Sequence, residues 1–115
     1  MHTAIPGAVH LDRRMLDEAV DRLVKALAPR AVYLFGSFAV GLAKPDSDID
    51  LMLILADESV TVDHHRQGYA AVRGLGLPVE LHFESQDRYD RFAAVFGSLQ
   101  NDVQRKGIRL YAAES

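Results

Sequence analysis

Gly36-Ser37-Phe38-Ala39-Val40-Gly41-Leu42-Ala43-Lys44-Pro45-Asp46-Ser47-Asp48-Ile49-Asp50 runs straight into the apolar stretch Leu51-Met52-Leu53-Ile54-Leu55, and the reading of this passage decides the fold. Successive side chains of an extended strand point to opposite faces, so Asp48 and Asp50, one residue apart, predict a single acidic edge. Carboxylates held this close repel and raise each other's pKa unless a cation sits between them, which calls for a hard divalent ion with oxygen ligands, Mg²⁺ above all. Ten residues upstream, Gly36-Ser37 follows the apolar run Ala31-Val32-Tyr33-Leu34-Phe35, which reads as a buried strand. A glycine there lets a phosphate approach the backbone, and the serine hydroxyl with the first amides of a short helix can bind its oxygens. Phosphate at one end and metal at the other describe a nucleoside triphosphate site. A turn alone would explain Asp46, Ser47 and Asp48. It would not explain a further aspartate opening a buried apolar strand, where an unpaired carboxylate is costly.

The specific wording is Gly36-Ser37-Phe38-Ala39-Val40-Gly41, then Pro45-Asp46-Ser47-Asp48-Ile49-Asp50-Leu51. It resembles the nucleotidyltransferase superfamily with the DNA polymerase beta fold, and the small size is similar to the minimal nucleotidyltransferases, including MNT antitoxins that pair with HEPN-domain toxins. The resemblance implies Mg²⁺-dependent transfer of AMP from ATP to a hydroxyl on a HEPN-domain partner. Asp48 and Asp50 would hold two Mg²⁺ ions, Gly36 and Ser37 would hold the outer phosphates, and a third carboxylate would come from a neighbouring strand, where Glu80 matches. One departure stands out: related enzymes often carry arginines just after the Gly-Ser pair, whereas this chain has Phe38 and Val40. Lys44 is the cation left to compensate. Two alternatives therefore stay open, a small-molecule (aminoglycoside-type) nucleotidyltransferase and a non-catalytic antitoxin or binding subunit.

Composition narrows the classes. At 115 residues the chain is expected to form one nucleotidyltransferase domain over 1–115, with a modest core and a loose lead-in over 1–9 that carries Pro6 and Gly7. A formal net charge of -3 argues against a direct nucleic-acid binder, which usually presents a basic face. With no cysteine there is neither a disulfide nor a thiolate metal site. No stretch approaches the length of a membrane span and no basic segment precedes a long apolar one, so a cytoplasmic protein is the expectation.

Along the chain, Leu11, Met15, Ala19, Leu23 and Leu27 recur at helical spacing against a charged opposite side, predicting an amphipathic helix that ends at Pro29. Ala31 to Phe35 is the first strand, Phe38 to Leu42 a short helix and Asp48 to Leu55 a central strand covered on both sides. Asp57-Glu58-Ser59 breaks the pattern before a helix over about 61–73, with Val62, Tyr69 and Val72 inward, Gly68 weakening it and His64 and His65 at the surface. Leu77 to Glu84 alternates, placing Val79, Leu81 and Phe83 behind and Glu80, His82 and Glu84 in front. His82 reads as a solvated strand histidine, with substrate contact as the alternative. From the N-cap Ser85, the residues Tyr89, Phe92, Phe96, Leu99 and Val103 predict one helix to Lys106, then a last strand at Ile108 to Tyr111. The expected fold is α/β (α+β), a mixed sheet with helices on one face and an open acidic active-site face.

Overall fold

Alternation along four strands sorts the apolar residues onto the two faces of one sheet, and the helices pack accordingly. The computed structural model describes Ile5 and residues 10–57 and 59–114. The expected lead-in over 1–9 therefore lies, apart from Ile5, outside the described residues, as does Glu58. The element order is α1 (Arg13–Leu27), β1 (Ala31–Phe35), α2 (Ser37–Val40), β2 (Ile49–Leu55), α3 (Val62–Val72), β3 (Val79–Ser85), α4 (Gln86–Ala93), α5 (Leu99–Lys106) and β4 (Ile108–Ala112). The sheet order is β3-β2-β1-β4. β1 runs antiparallel to β2 and β4, while β2 and β3 are parallel and joined through α3. The sheet is mixed, as expected.

One face buries Val32, Leu34, Leu51, Leu53, Leu55 and Leu81 against Leu16, Ala19 and Leu23 of α1 and Val72 of α3. Each such aliphatic side chain removed from water contributes roughly 1.5–3 kcal/mol. The outer side of α1 carries the pairs Arg22–Glu18 at 3.2 Å and Lys25–Asp21 at 2.9 Å, a solvated face laced by i,i+4 contacts. Asp12 is the N-cap, accepting from the amides of Arg14 and Met15.

The opposite face is not free of helices. Ala31, Phe35, Met52 and Ile54 are covered by Tyr89 and Ala93 of α4 and Val103 of α5, so this pair lies over one end of the side that carries the acidic residues. The single helix expected from Ser85 to Lys106 is two. The first stops at Ala93, Gly97 beyond it takes φ +88, which no helix holds, and Ser98 caps the second helix by accepting from the Asn101 amide at 3.0 Å. The break folds α5 back so that Val103 reaches β1, and it leaves Phe96, expected inward, 85 % exposed. Val62 is likewise outside, because Thr61 caps α3 and puts Val62 at its solvent-facing first position. Gly68 does not merely weaken α3: a Cβ there would sit 2.6 Å from the Phe83 ring, so its small size lets α3 approach β3. Tyr69 then reaches the outer edge of β3, its hydroxyl accepting from the Leu81 amide at 2.9 Å.

Candidate metal and nucleotide site

Register assembles the site. Asp50 lies opposite Phe35, the last residue of β1, and opposite Glu80 in the parallel strand β3; Met52 lies opposite His82. Asp50, Glu80 and His82 therefore project from the same face, at the end that α4 and α5 leave uncovered. One donor atom from each lies within 4.8 Å of the others, and among the described residues these form the one group of this kind. Nε2 of His82 is 3.5 Å from Asp50 Oδ1 and 3.9 Å from Glu80 Oε1. Both are ion-pair distances rather than hydrogen bonds, and this nitrogen is buried with no hydrogen-bond partner. The Phe35 ring packs against the imidazole, centroids 4.9 Å apart and nearly edge-on, which fixes its plane. His82 is thus a half-buried member of the cluster with Nε2 turned inward, rather than the solvated residue its strand position suggested.

Gly36 joins this edge to the chain upstream. Its φ of 76° with ψ of -153° is a conformation essentially limited to glycine. A Cβ added there would run into the Asp50 carboxylate, so the position needs glycine for space as well as for backbone. Ser37, half-buried, begins α2, a helix of 4 residues whose amides offer only a short rim of donors. Phe38 and Ala39 of that helix are buried, while Val40 is exposed.

Asp48 stands one residue ahead of β2, exposed, and so is not a strand residue as its spacing suggested. Its charge still reaches Asp50. Burial pushes the Asp50 carboxyl above its ordinary value; His82 opposes this, and the charges of Glu80 and Asp48 add to it. Lys44 is exposed in a turn closed by its own amide donating to Ser47 Oγ at 2.8 Å and by the Ser47 amide donating back to the Lys44 carbonyl. The structure thus brings together Asp50, Glu80 and Gly36, with Asp48 near enough to act through its charge, and leaves Lys44 on the adjoining loop. His82 is the member that sequence reasoning undervalued. Its signal was position: it follows Glu80 by two residues on a strand whose front face was already assigned to the acidic edge.

A half-buried acid whose carboxyl is raised above its ordinary value, a second carboxylate opposite it and an imidazole nitrogen without a partner form a donor set that fits a divalent cation. Among the described residues, the histidines of α3 make no such set. His64 Nδ1 accepts from the Thr61 amide at 3.0 Å and its Nε2 faces Asp57 at 2.7 Å, so it caps the helix and is largely covered, against the expectation of a surface residue.

A glycine-bent loop thus abuts the first of two carboxylate-bearing strands. Residues 13–92, more than half of the chain, match the family model described as nucleotidyltransferase domain, and the chain belongs to that family. No curated protein sequence matches it. Among solved structures it resembles a protein from Sulfolobus solfataricus described as a candidate nucleotidyltransferase, with 19% identity, TM-score 0.67 and coverage of 100% of this chain and 95% of that one. It also resembles a chain from a structure described as a toxin-antitoxin with AMP-PNP, with 21% identity, TM-score 0.58 and coverage of 84% of this chain and 73% of that one. At these identities the likeness is one of fold. No helix of the described residues is long and apolar enough to cross a membrane.

Proposed function

We propose that this nucleotidyltransferase moves AMP from ATP to a hydroxyl, on a tyrosine of a HEPN-domain toxin, in the cytoplasm, and so acts as that toxin's antitoxin, with residues 1–115 working as a single domain. The observation that carries this reading is the convergence of Asp50 and Glu80 on paired strands, with the backbone of Gly36 directly against the Asp50 carboxylate. It gives the metal edge and the phosphate loop one shared border. The resemblance to a toxin-antitoxin chain whose name includes AMP-PNP, an ATP analogue, supports both the partner class and the nucleotide.

Asp48, Asp50 and Glu80 would hold Mg²⁺, with two ions the expectation from the superfamily. Held there, divalent ions would offset triphosphate charge and stabilise the entering and leaving oxygens. The chain's own residues do the rest. The Gly36 backbone and the Ser37 hydroxyl hold the outer phosphates, Lys44 supplies a cation from the adjoining turn, and Glu80, 56% exposed at its side chain, is accessible to take the proton of the attacking hydroxyl. The hydroxyl oxygen bonds to the α-phosphorus as the bond to the bridging oxygen breaks, and pyrophosphate leaves. The added AMP would place a bulky anion where the toxin meets RNA, and like charges there oppose the RNA backbone.

A second reading, a binding subunit that masks the toxin without chemistry, is favoured by α2, which turns Phe38 into the core and presents Val40 outward where phosphate-binding cations would be useful. Intact mass of the toxin after co-expression separates the two. An AMP-sized increase with the wild type and none with an Asp48→Asn, Asp50→Asn double variant is expected. No increase with either, together with full protection by both, would overturn transfer in favour of masking.

A further inference from the structure

We propose that His82 is itself a metal ligand, through Nε2, and that it turns this site from Mg²⁺ toward a first-row transition ion, Mn²⁺ or Co²⁺. The inference rests on the reading that Asp50 and Glu80 hold a divalent ion. It starts from an accounting problem: a buried imidazole nitrogen without a hydrogen bond is costly, and among the described residues it is the one buried side-chain nitrogen or oxygen left so. Its neighbours are two carboxylate oxygens, at 3.5 Å and 3.9 Å. The nearer lies at the limit of hydrogen-bond distance without the geometry of one, and the farther is beyond it. Both suit ligands around a small cation, since bonds of roughly 2.0–2.2 Å from nitrogen and oxygen place adjacent donors about 3 Å apart, and a small inward shift closes the set.

The imidazole is also held in place. Phe35 packs on its ring, and the strand that carries it is pinned at Leu81 by the Tyr69 hydroxyl. A preset nitrogen donor matters because Mg²⁺ prefers an all-oxygen shell, while imidazole favours transition ions along the order Mn²⁺ < Co²⁺. Two carboxylates and one imidazole make a mixed set that Mn²⁺ and Co²⁺ both accept.

The test titrates the whole protein with MgCl₂, MnCl₂ or CoCl₂ alone, following heat of binding, and compares wild type, His82→Gln and Asp50→Asn. Wild type should bind Mn²⁺ at least about tenfold more tightly than Mg²⁺, and His82→Gln should lose at least about tenfold for Mn²⁺ with little change for Mg²⁺, the size expected when a nitrogen donor leaves such a shell. Pulsed electron paramagnetic resonance of the wild-type Mn²⁺ complex should show coupling to an imidazole nitrogen that is gone in His82→Gln, a readout independent of any change in stability. An unchanged Mn²⁺ to Mg²⁺ ratio in His82→Gln, or no nitrogen coupling in the wild type, would overturn the role of His82 alone. Metal binding that survives Asp50→Asn unaltered would overturn the site itself.

Discussion

Glu80 and Glu84 sit four residues apart on the same face of the same strand, yet the molecule treats them in opposite ways. Glu84 lies under the α4–α5 pair, 9 % exposed, and its carboxylate is fully engaged: it accepts from the Ser85 amide at 3.1 Å, from Arg88 Nε at 3.1 Å and from Gln100 at 2.8 Å. Glu80 lies beyond the cover, exposed, with His82 and Asp50 as its near neighbours on that face. A carboxylate whose lone pairs are filled by the protein is structural, and one left facing other acids is available to a ligand. The edge of a helical lid, rather than residue type, divides scaffold from site.

The sharpest way to break this contrast is at the border residue. Gly36→Val should reduce triphosphate binding by at least about 100-fold, since a β-branched residue is strained at positive φ and its side chain would displace the Asp50 carboxylate. Calorimetric titration with ATP and metal checks this. Wild-type affinity in that variant would separate the loop from the carboxylates.

The two glutamates give the next largest effects, in opposite measurements. Glu80→Gln should slow transfer by about 100-fold or more through loss of a charged ligand and proton acceptor, with Tm close to wild type. Glu84→Gln should leave the transfer rate within about threefold, but cost about 1 kcal/mol from the part-buried Arg88 and Gln100 contacts, or several degrees in Tm. If both variants lost activity and neither lost stability, the division would fail. Ser37→Ala removes a single hydroxyl contact and should weaken ATP binding only about two- to tenfold, without altering metal affinity.

The smallest effect expected is on pH dependence. Because the folded-state pKa of Asp50 is raised, its contribution to the stability of the metal-free protein is present at low pH and lost as pH rises through the raised value. Asp50→Asn should abolish that fall, and saturating divalent metal should abolish it too. Thermal melts across the acidic range measure this directly.

Most of the sheet was legible because its signals are local. Ala31–Phe35 and the apolar run after Asp50 appear as β1 and β2, and the alternation of Val79 to Glu84 placed the right residues on the right faces. What escaped depends on long-range packing. The stripe Tyr89, Phe92, Phe96, Leu99, Val103 is as regular as that of a single helix, and only the need to bring Val103 onto β1 makes Gly97 a break. For the same reason the acidic face was expected to be wholly open, although α4 and α5 close one end. At the site, Asp50 was legible from the Asp48-Ile49-Asp50 wording and Glu80 only through the family resemblance, while the placing of His82 depends on Phe35 and Asp50 on two other strands, which no local pattern encodes.

The central claim is that Asp50, bordered by Gly36 and Glu80, holds the metal through which nucleotide binds. Calorimetric titration of ATP into wild type and into Asp50→Asn, each with MgCl₂ or MnCl₂ and again with EDTA, tests it most directly. The account expects tight binding for wild type with metal, at least about 100-fold weaker binding with EDTA, and equally weak binding for Asp50→Asn in every condition, with Asp50→Asn no less thermally stable than the metal-free wild type. Metal-dependent ATP binding of wild-type strength in Asp50→Asn would contradict it.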